Sequence, residues 1–182
     1  LLSVIDRTAT TMGSRLLSRW INRPLRDREQ LQLRQQAVAT LKTDFRFEAL
    51  YEVLKTIGDL ERIIARLGLR SARPRDLAKL RDGLCQLPGL QQQLATMTSS
   101  YVGELAKRIG EYPQHTALLT RAVKENPPVV IREGGVIAEG YDAELDELRN
   151  LSSNAGQYLV DLELREKERT GISTLKVGYN RV

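Results

Sequence analysis

Residues able to do acid–base, nucleophilic or metal chemistry are few in this chain, and badly spaced for it. The only histidine, His115, stands beside Pro113 and Thr116 with no cysteine cluster near it. A zinc site needs three or four such ligands, so His115 reads as a surface or packing residue. The single Cys85 rules out an internal disulfide framework, fits a reducing cytoplasm and reads as a small apolar filler. Glu163, Glu166 and Glu168 alternate with Arg165, Lys167 and Arg169. Mixed charge at that spacing describes a solvated helix face, not an acid–base pair. There is no Gly-x-Ser-x-Gly elbow, no Gly-x-x-x-x-Gly-Lys-Ser/Thr loop and no Gly-x-Gly-x-x-Gly. Gly134-Gly135 has no lysine or helix start placed to hold a phosphate, and reads as a turn.

The elements around these residues are helical in pattern. Met12, Leu16, Leu17, Trp20 and Ile21 share one helical face, and Pro24 stops that helix. Asp27-Arg28-Glu29-Gln30 opens the next in the manner of a capping box, with Leu31, Val38 and Leu41 continuing it. Phe47, Leu50, Tyr51 and Leu54 mark a third. Asp59 caps a fourth, in which Leu60, Ile63, Ile64 and Leu67 fall at i, i+3, i+4 and i+7. Pro74 suits the first position of a fifth, with Leu77, Leu80, Leu84 and Leu87 as its stripe and Pro88-Gly89 as its end. Two shorter helices are expected around Tyr101–Ile109 and Gln114–Val123. After Asn126-Pro127-Pro128 the texture changes. Val129-Val130-Ile131 and Val136-Ile137-Ala138 flank Arg132-Glu133-Gly134-Gly135 and predict a tight β-hairpin.

The longest pattern comes last. From Asp142 to about Arg169 nothing breaks a helix. Tyr141, Leu145, Leu148, Ser152, Ala155, Leu159 and Leu162 draw one heptad-spaced seam. At ~1.5 Å per residue such a helix is roughly 40 Å long. Its acidic start (Glu144, Asp146, Glu147) and basic end (Lys167, Arg169) complement the helix dipole. Gly171 ends it, and Ser173–Asn180 predicts a strand. Neither seam nor strand has an obvious partner before Val182, and Leu1 is not an initiator Met. Both features lead us to expect a piece of a larger machine, with the helix as an arm.

The 182 residues, 41 % hydrophobic, 28 % charged and only 5 % aromatic, suit a helical protein rather than a β-sandwich. No apolar run approaches the roughly 20 residues of a membrane span. The net charge of +5 is unevenly placed. Residues 1–81 hold 17 Lys+Arg against 9 Asp+Glu, a net +8, and the remainder 11 against 14, a net −3. The basic half permits nucleic-acid contact, although a solvated, salt-bridged helix surface accounts for it as well.

Four stretches in order resemble the MutS family of DNA mismatch-repair ATPases, the bacterial mismatch-recognition branch above all. They are Asp6-Arg7-Thr8 with Thr11-Met12-Gly13-Ser14-Arg15-Leu16-Leu17 and Trp20 through Arg23-Pro24-Leu25; Gly58-Asp59-Leu60-Glu61-Arg62-Ile63 with Arg66-Leu67 and Arg73-Pro74-Arg75-Asp76-Leu77; Gly135-Val136-Ile137 with Gly140-Tyr141-Asp142 and Leu145-Asp146; and Arg165-Glu166 through Thr170-Gly171-Ile172 with Leu175-Lys176-Val177-Gly178-Tyr179-Asn180. One departure is Thr11, where the family usually has proline at a helix start. The resemblance implies a mainly all-α fold. Residues 1–126 form a multi-helix core bundle at the lever base, and 127–141 a β-hairpin connector. Residues 142–170 form a long lever helix with the seam Leu145, Leu148, Ala155, Leu159 and Leu162, and 171–182 the incomplete start of a clamp.

The same resemblance implies a non-catalytic link between a DNA clamp and an ATPase. The parent binds ATP and Mg outside this segment, which has no cofactor of its own. The implied partners are double-stranded DNA through the clamp, a second copy in a homodimer and other mismatch-repair proteins, with no membrane. The implied location is cytoplasmic and nucleoid-associated. Candidate contacts to the DNA backbone are Lys176, Asn180 and Arg181, which otherwise read as an exposed strand end. Arg62, Arg66, Arg70, Arg73 and Arg75, the densest basic group, read as packing and salt bridges within the core. The rival reading is a helical adaptor that binds a partner protein through the exposed seam; a cryptic enzyme is disfavoured by the lack of any acid–base or metal cluster.

Overall fold

The computed structural model describes residues 2–178. Ten α-helices run along them: α1 (Leu2–Ile5), α2 (Thr11–Asn22), α3 (Arg28–Lys42), α4 (Arg46–Thr56), α5 (Leu60–Gly68), α6 (Pro74–Ala95), α7 (Ser100–Arg108), α8 (Pro113–Ala122), α9 (Ala143–Ser153) and α10 (Ala155–Thr170). No strand occurs among the described residues, and none of their helices is long and apolar enough to cross a membrane. The described residues are thus all-α. Two compact units divide it, residues 1–138 and residues 139–182.

Local chemistry explains most helix starts. The Thr10 hydroxyl accepts from the Gly13 N–H at 2.9 Å. This makes Thr11 the first helical residue, a position whose unpaired N–H also suits proline. The Asp27 carboxylate accepts from the N–H groups of Glu29 and Gln30, and Asp59 from that of Arg62. Asp76 reaches back to the Arg73 N–H at 3.0 Å, with Pro74 as the first residue of α6.

In the first unit α6 is the central helix, packed against α4, α5, α7 and α8, while α3 packs on α4 and α7. Leu50, Ile57 and Leu90 are buried at the heart of the core, with Met12, Leu41, Leu60, Leu87, Leu94 and Ile109 around them. Gly83 lets α5 approach α6, since a Cβ there would meet Leu60 Cδ2 at 3.0 Å.

Contrary to the sequence expectation, α6 does not stop at Pro88-Gly89 but runs 22 residues through them. A mid-helix proline costs about 3 kcal/mol. The helix beyond it offsets that cost. Leu90 is buried, Leu94 packs on the core, and the Gln91 side-chain amide donates to the Ala106 and Ile109 carbonyls at 3.3 and 3.1 Å.

The predicted β-hairpin is also corrected. Ile131–Glu133 forms a 3₁₀ turn, followed by Gly134 and Gly135 at φ +72° and +66°. Val136–Ala138 pairs not with Val129–Ile131 but with the end of α8, through one isolated antiparallel bridge, Val123 to Ile137. The Lys124 N–H donates to the Val136 carbonyl at 3.0 Å, and the Ala138 N–H to the Ala122 carbonyl at 2.9 Å. Pro127 and Pro128 supply no N–H to a ladder, so the segment closes as a loop.

The second unit departs from expectation twice. The single long helix is two, α9 and α10, parted at Asn154 (φ −104°, ψ 16°). Ser152, Ser153, Asn154 and Gly156 are weak helix formers, and the Ser153 hydroxyl bonds back to the Asn150 carbonyl at 3.1 Å, a local competitor to the helix ladder. Nor does the expected clamp strand form among the described residues, its last positions, from 179 on, lying outside them. Residues 173–174 turn, and the Val177 N–H donates to the Glu163 carboxylate at 3.1 Å, folding the chain back on α10. An isolated strand has no ladder partner for its N–H and C=O groups, and a side chain on α10 takes one of them instead.

Candidate functional site

The motif residues meet as joints between elements. Arg15, from the first motif, places its guanidinium on Asp59 in a two-point pair, both contacts at 2.7 Å, and reaches Glu61 at 2.6 Å. Asp59 and Glu61 belong to the second motif, so α2 is tied to the start of α5 across 44 residues. The Arg15 hydrogen bonds hold Asp59 well below the usual carboxylate range and raise the guanidinium in turn. A cation–π contact adds a second tie, the Arg34 guanidinium lying 3.8 Å from the centre of the Trp20 ring.

Of the five clustered arginines, two act as internal joints. Arg66 donates to both Asp76 oxygens at 2.9 Å, linking α5 to α6. Burial pushes the Asp76 carboxyl up, but the Arg73 N–H and the Arg66 guanidinium outweigh it, and the net shift is downward. Arg75 donates to the Pro127 carbonyl at 3.3 Å. Arg62, Arg70 and Arg73 are exposed, without a side-chain ion pair among the described residues. Arg70 sits at φ +52°, in the turn between α5 and α6.

Arg81, outside that cluster and passed over in the sequence reading, is buried at 8 % exposure. Its guanidinium donates to three consecutive carbonyls, Val123, Lys124 and Glu125, each at 3.2 Å. No short-range pattern announces it, because its partners lie more than forty residues downstream.

The stripe Leu77, Leu80, Leu84 and Leu87 is half-buried and, although Leu87 also packs on the core, does not close over completely. With Leu60, Ile64 and Leu67 of α5 and Leu118 and Leu119 of α8 it lines an open apolar groove of about 600 Å³. His115, exposed, is on the rim with its ring edge-on to Tyr112 at 6.2 Å. Cys85 is exposed on α6. No group of three or more His, Cys, Asp or Glu residues arranged to hold a metal occurs among the described residues.

In the second unit the seam is only partly covered. Leu145, Leu159 and Leu162 are half-buried, Ala155 is exposed, and Leu148 is 56 % exposed. Glu163 is held below the ordinary carboxylate range by Lys167 and then by the Val177 N–H. Of the DNA-contact candidates, Lys176 is exposed, whereas Asn180 and Arg181 lie outside the described residues.

Arginine–carboxylate joints at these motif positions tie the helical bundle together. The family model for MutS domain III matches residues 1–167. The chain belongs to the MutS family, and carries the helical core, or connector, domain of MutS-type mismatch-repair proteins.

Proposed function

We propose that this chain is the mechanical link of a MutS-like mismatch-repair ATPase, joining a DNA clamp to the ATPase without catalysing a reaction itself. Its membership of the family through domain III carries the reading. The division into a packed helical unit and a separate two-helix unit supports it, because a link needs a body and an arm. ATP and Mg are then held by other parts of the parent. DNA is reached through the clamp, with Lys176, Asn180 and Arg181 as backbone contacts at its start. The parent acts as a homodimer with other mismatch-repair proteins, in the cytoplasm. The adaptor alternative draws on the heptad seam, of which Leu148 and Ala155 are exposed and Leu145, Leu159 and Leu162 half-buried. The parent sequence discriminates between them: a phosphate-binding loop found downstream would favour the link, and its absence the adaptor.

The test is a helix break in the arm of the parent protein, Leu159→Pro. A mid-helix proline costs about 3 kcal/mol or more locally. DNA binding and ATP turnover without DNA should persist, while the response of turnover to DNA is lost. An unchanged DNA response contradicts the link. Hydrolysis of ATP by the 182-residue chain alone contradicts its non-catalytic role.

A further inference from the structure

The connector that follows α8 is gripped by α6. Arg81 Nη1 donates to the Val123 and Lys124 carbonyls, Nη2 to the Glu125 carbonyl, and Nε to Asp82 at 3.0 Å. Six residues earlier on α6, Arg75 holds the Pro127 carbonyl. The gripped stretch is itself buried at Val123 and Pro127. It is also the base of the loop that the 123–137 bridge closes, after which the chain enters the arm at Glu139. The carbonyls lie just past the last turn of α8, where the negative end of the helix dipole attracts a cation.

A buried arginine is a poor choice for stability alone, since an apolar side chain of similar volume fills such a space at less desolvation cost. Its planar fork of five donors offers something lysine does not, a fixed register against several acceptors at once. We propose that Arg81 is the positioning residue that clasps the connector to α6, so that movement of the core's central helix passes into the chain that forms the arm. This rests on the reading of the arm as a lever.

The experiment compares the chain with its R81M and R81K variants by two readouts. Amide exchange is followed at Lys124 and Ala138, whose N–H groups close the loop, and at Leu90 and Val102 in the core. Spin labels on the native Cys85 and on Arg165→Cys report the spread of core-to-arm distances. In both variants exchange at Lys124 and Ala138 should rise roughly tenfold or more, with the core amides within about twofold, because a local opening frees only the amides it exposes. The distance distribution should broaden in step. R81K, which keeps the charge and most of the buried stem, decides the matter if R81M does not fold. Unchanged exchange at Lys124 and Ala138 overturns the proposal. So does faster exchange with an unchanged distance distribution, which would make Arg81 a staple with no hold on the arm. Neither result touches the lever itself, which stands or falls separately on the Leu159→Pro test in the parent.

Discussion

The two units of this chain are held together by different physics. In residues 1–138, helices bury Leu50, Ile57, Ile63, Leu90 and Val102 and are cross-tied by Arg15–Asp59 and Arg66–Asp76. No residue of 139–178 is buried. Local contacts recur along the arm. Asp142 caps α9, and Gly171 at φ +72° ends α10. Side-chain pairs three or four residues apart, Asp146–Arg149, Gln157–Asp161, Glu163–Lys167 and Glu166–Arg169, line its faces. Such pairs are weak and screened by salt. The difference teaches which unit carries the fold: a core stands on burial, whereas the arm leaves Leu148 and Leu151 exposed.

The sharpest way to break that contrast is a paired truncation. Leu90→Ala empties a buried site and should cost about 3–4 kcal/mol in denaturant melts. Leu148→Ala removes an exposed side chain and should stay within about 0.5 kcal/mol. Equal losses would show that the arm is buried in solution.

A joint comes next. Asp76→Ala strips the cap from the Arg73 N–H and the partner from Arg66, and should cost about 1–2 kcal/mol. Its pH dependence has a definite sign. The Asp76 carboxyl is lowered from its ordinary 3.8 on folding, so the folded protein binds fewer protons there than the unfolded one. The stabilisation is therefore present above that value and is lost as pH falls through the folded value. Urea melts at pH 6 and pH 3 should show a smaller loss on acidification in the variant than in the parent sequence. An identical loss in both would remove Asp76 from the acid response.

The smallest effect sharpens the arm. Gly156 has open space around its missing Cβ and no positive φ. Gly156→Ala should strengthen α10 by about 0.5–1 kcal/mol and raise the helical circular dichroism signal. No gain would mean that the break at Asn154 is set by something other than local propensity.

Much of this was legible in the sequence wherever the determining contacts are local. Asp27, Asp59 and Pro74 mark the starts of α3, α5 and α6 because caps act within one turn. Tyr101–Ile109 and Gln114–Val123 lie close to α7 and α8. Reading failed where distant residues outvote local ones. Pro88 looks like a stop until the burial of Leu90 is counted. Val136–Ala138 looks like half of a hairpin with Val129–Ile131, but its partner is the end of α8. The break at Asn154 has a local cause, Ser152-Ser153-Asn154 with Gly156, which the heptad seam masked. The joints Arg15–Asp59 and Arg81 to Val123–Glu125 span more than forty residues and leave no trace in spacing. The first joins two of the motifs that carried the family resemblance, which explains why those stretches stood out without any chemistry in them.

The central claim is that this chain links but does not read DNA. The most direct measurement is fluorescence anisotropy of the 182-residue chain with a matched duplex and a single-mismatch duplex, at low and at moderate salt. Backbone contacts release counterions and carry no sequence information. The account predicts weak binding, equal for the two duplexes and fading as salt rises. A clear preference for the mismatched duplex would contradict it.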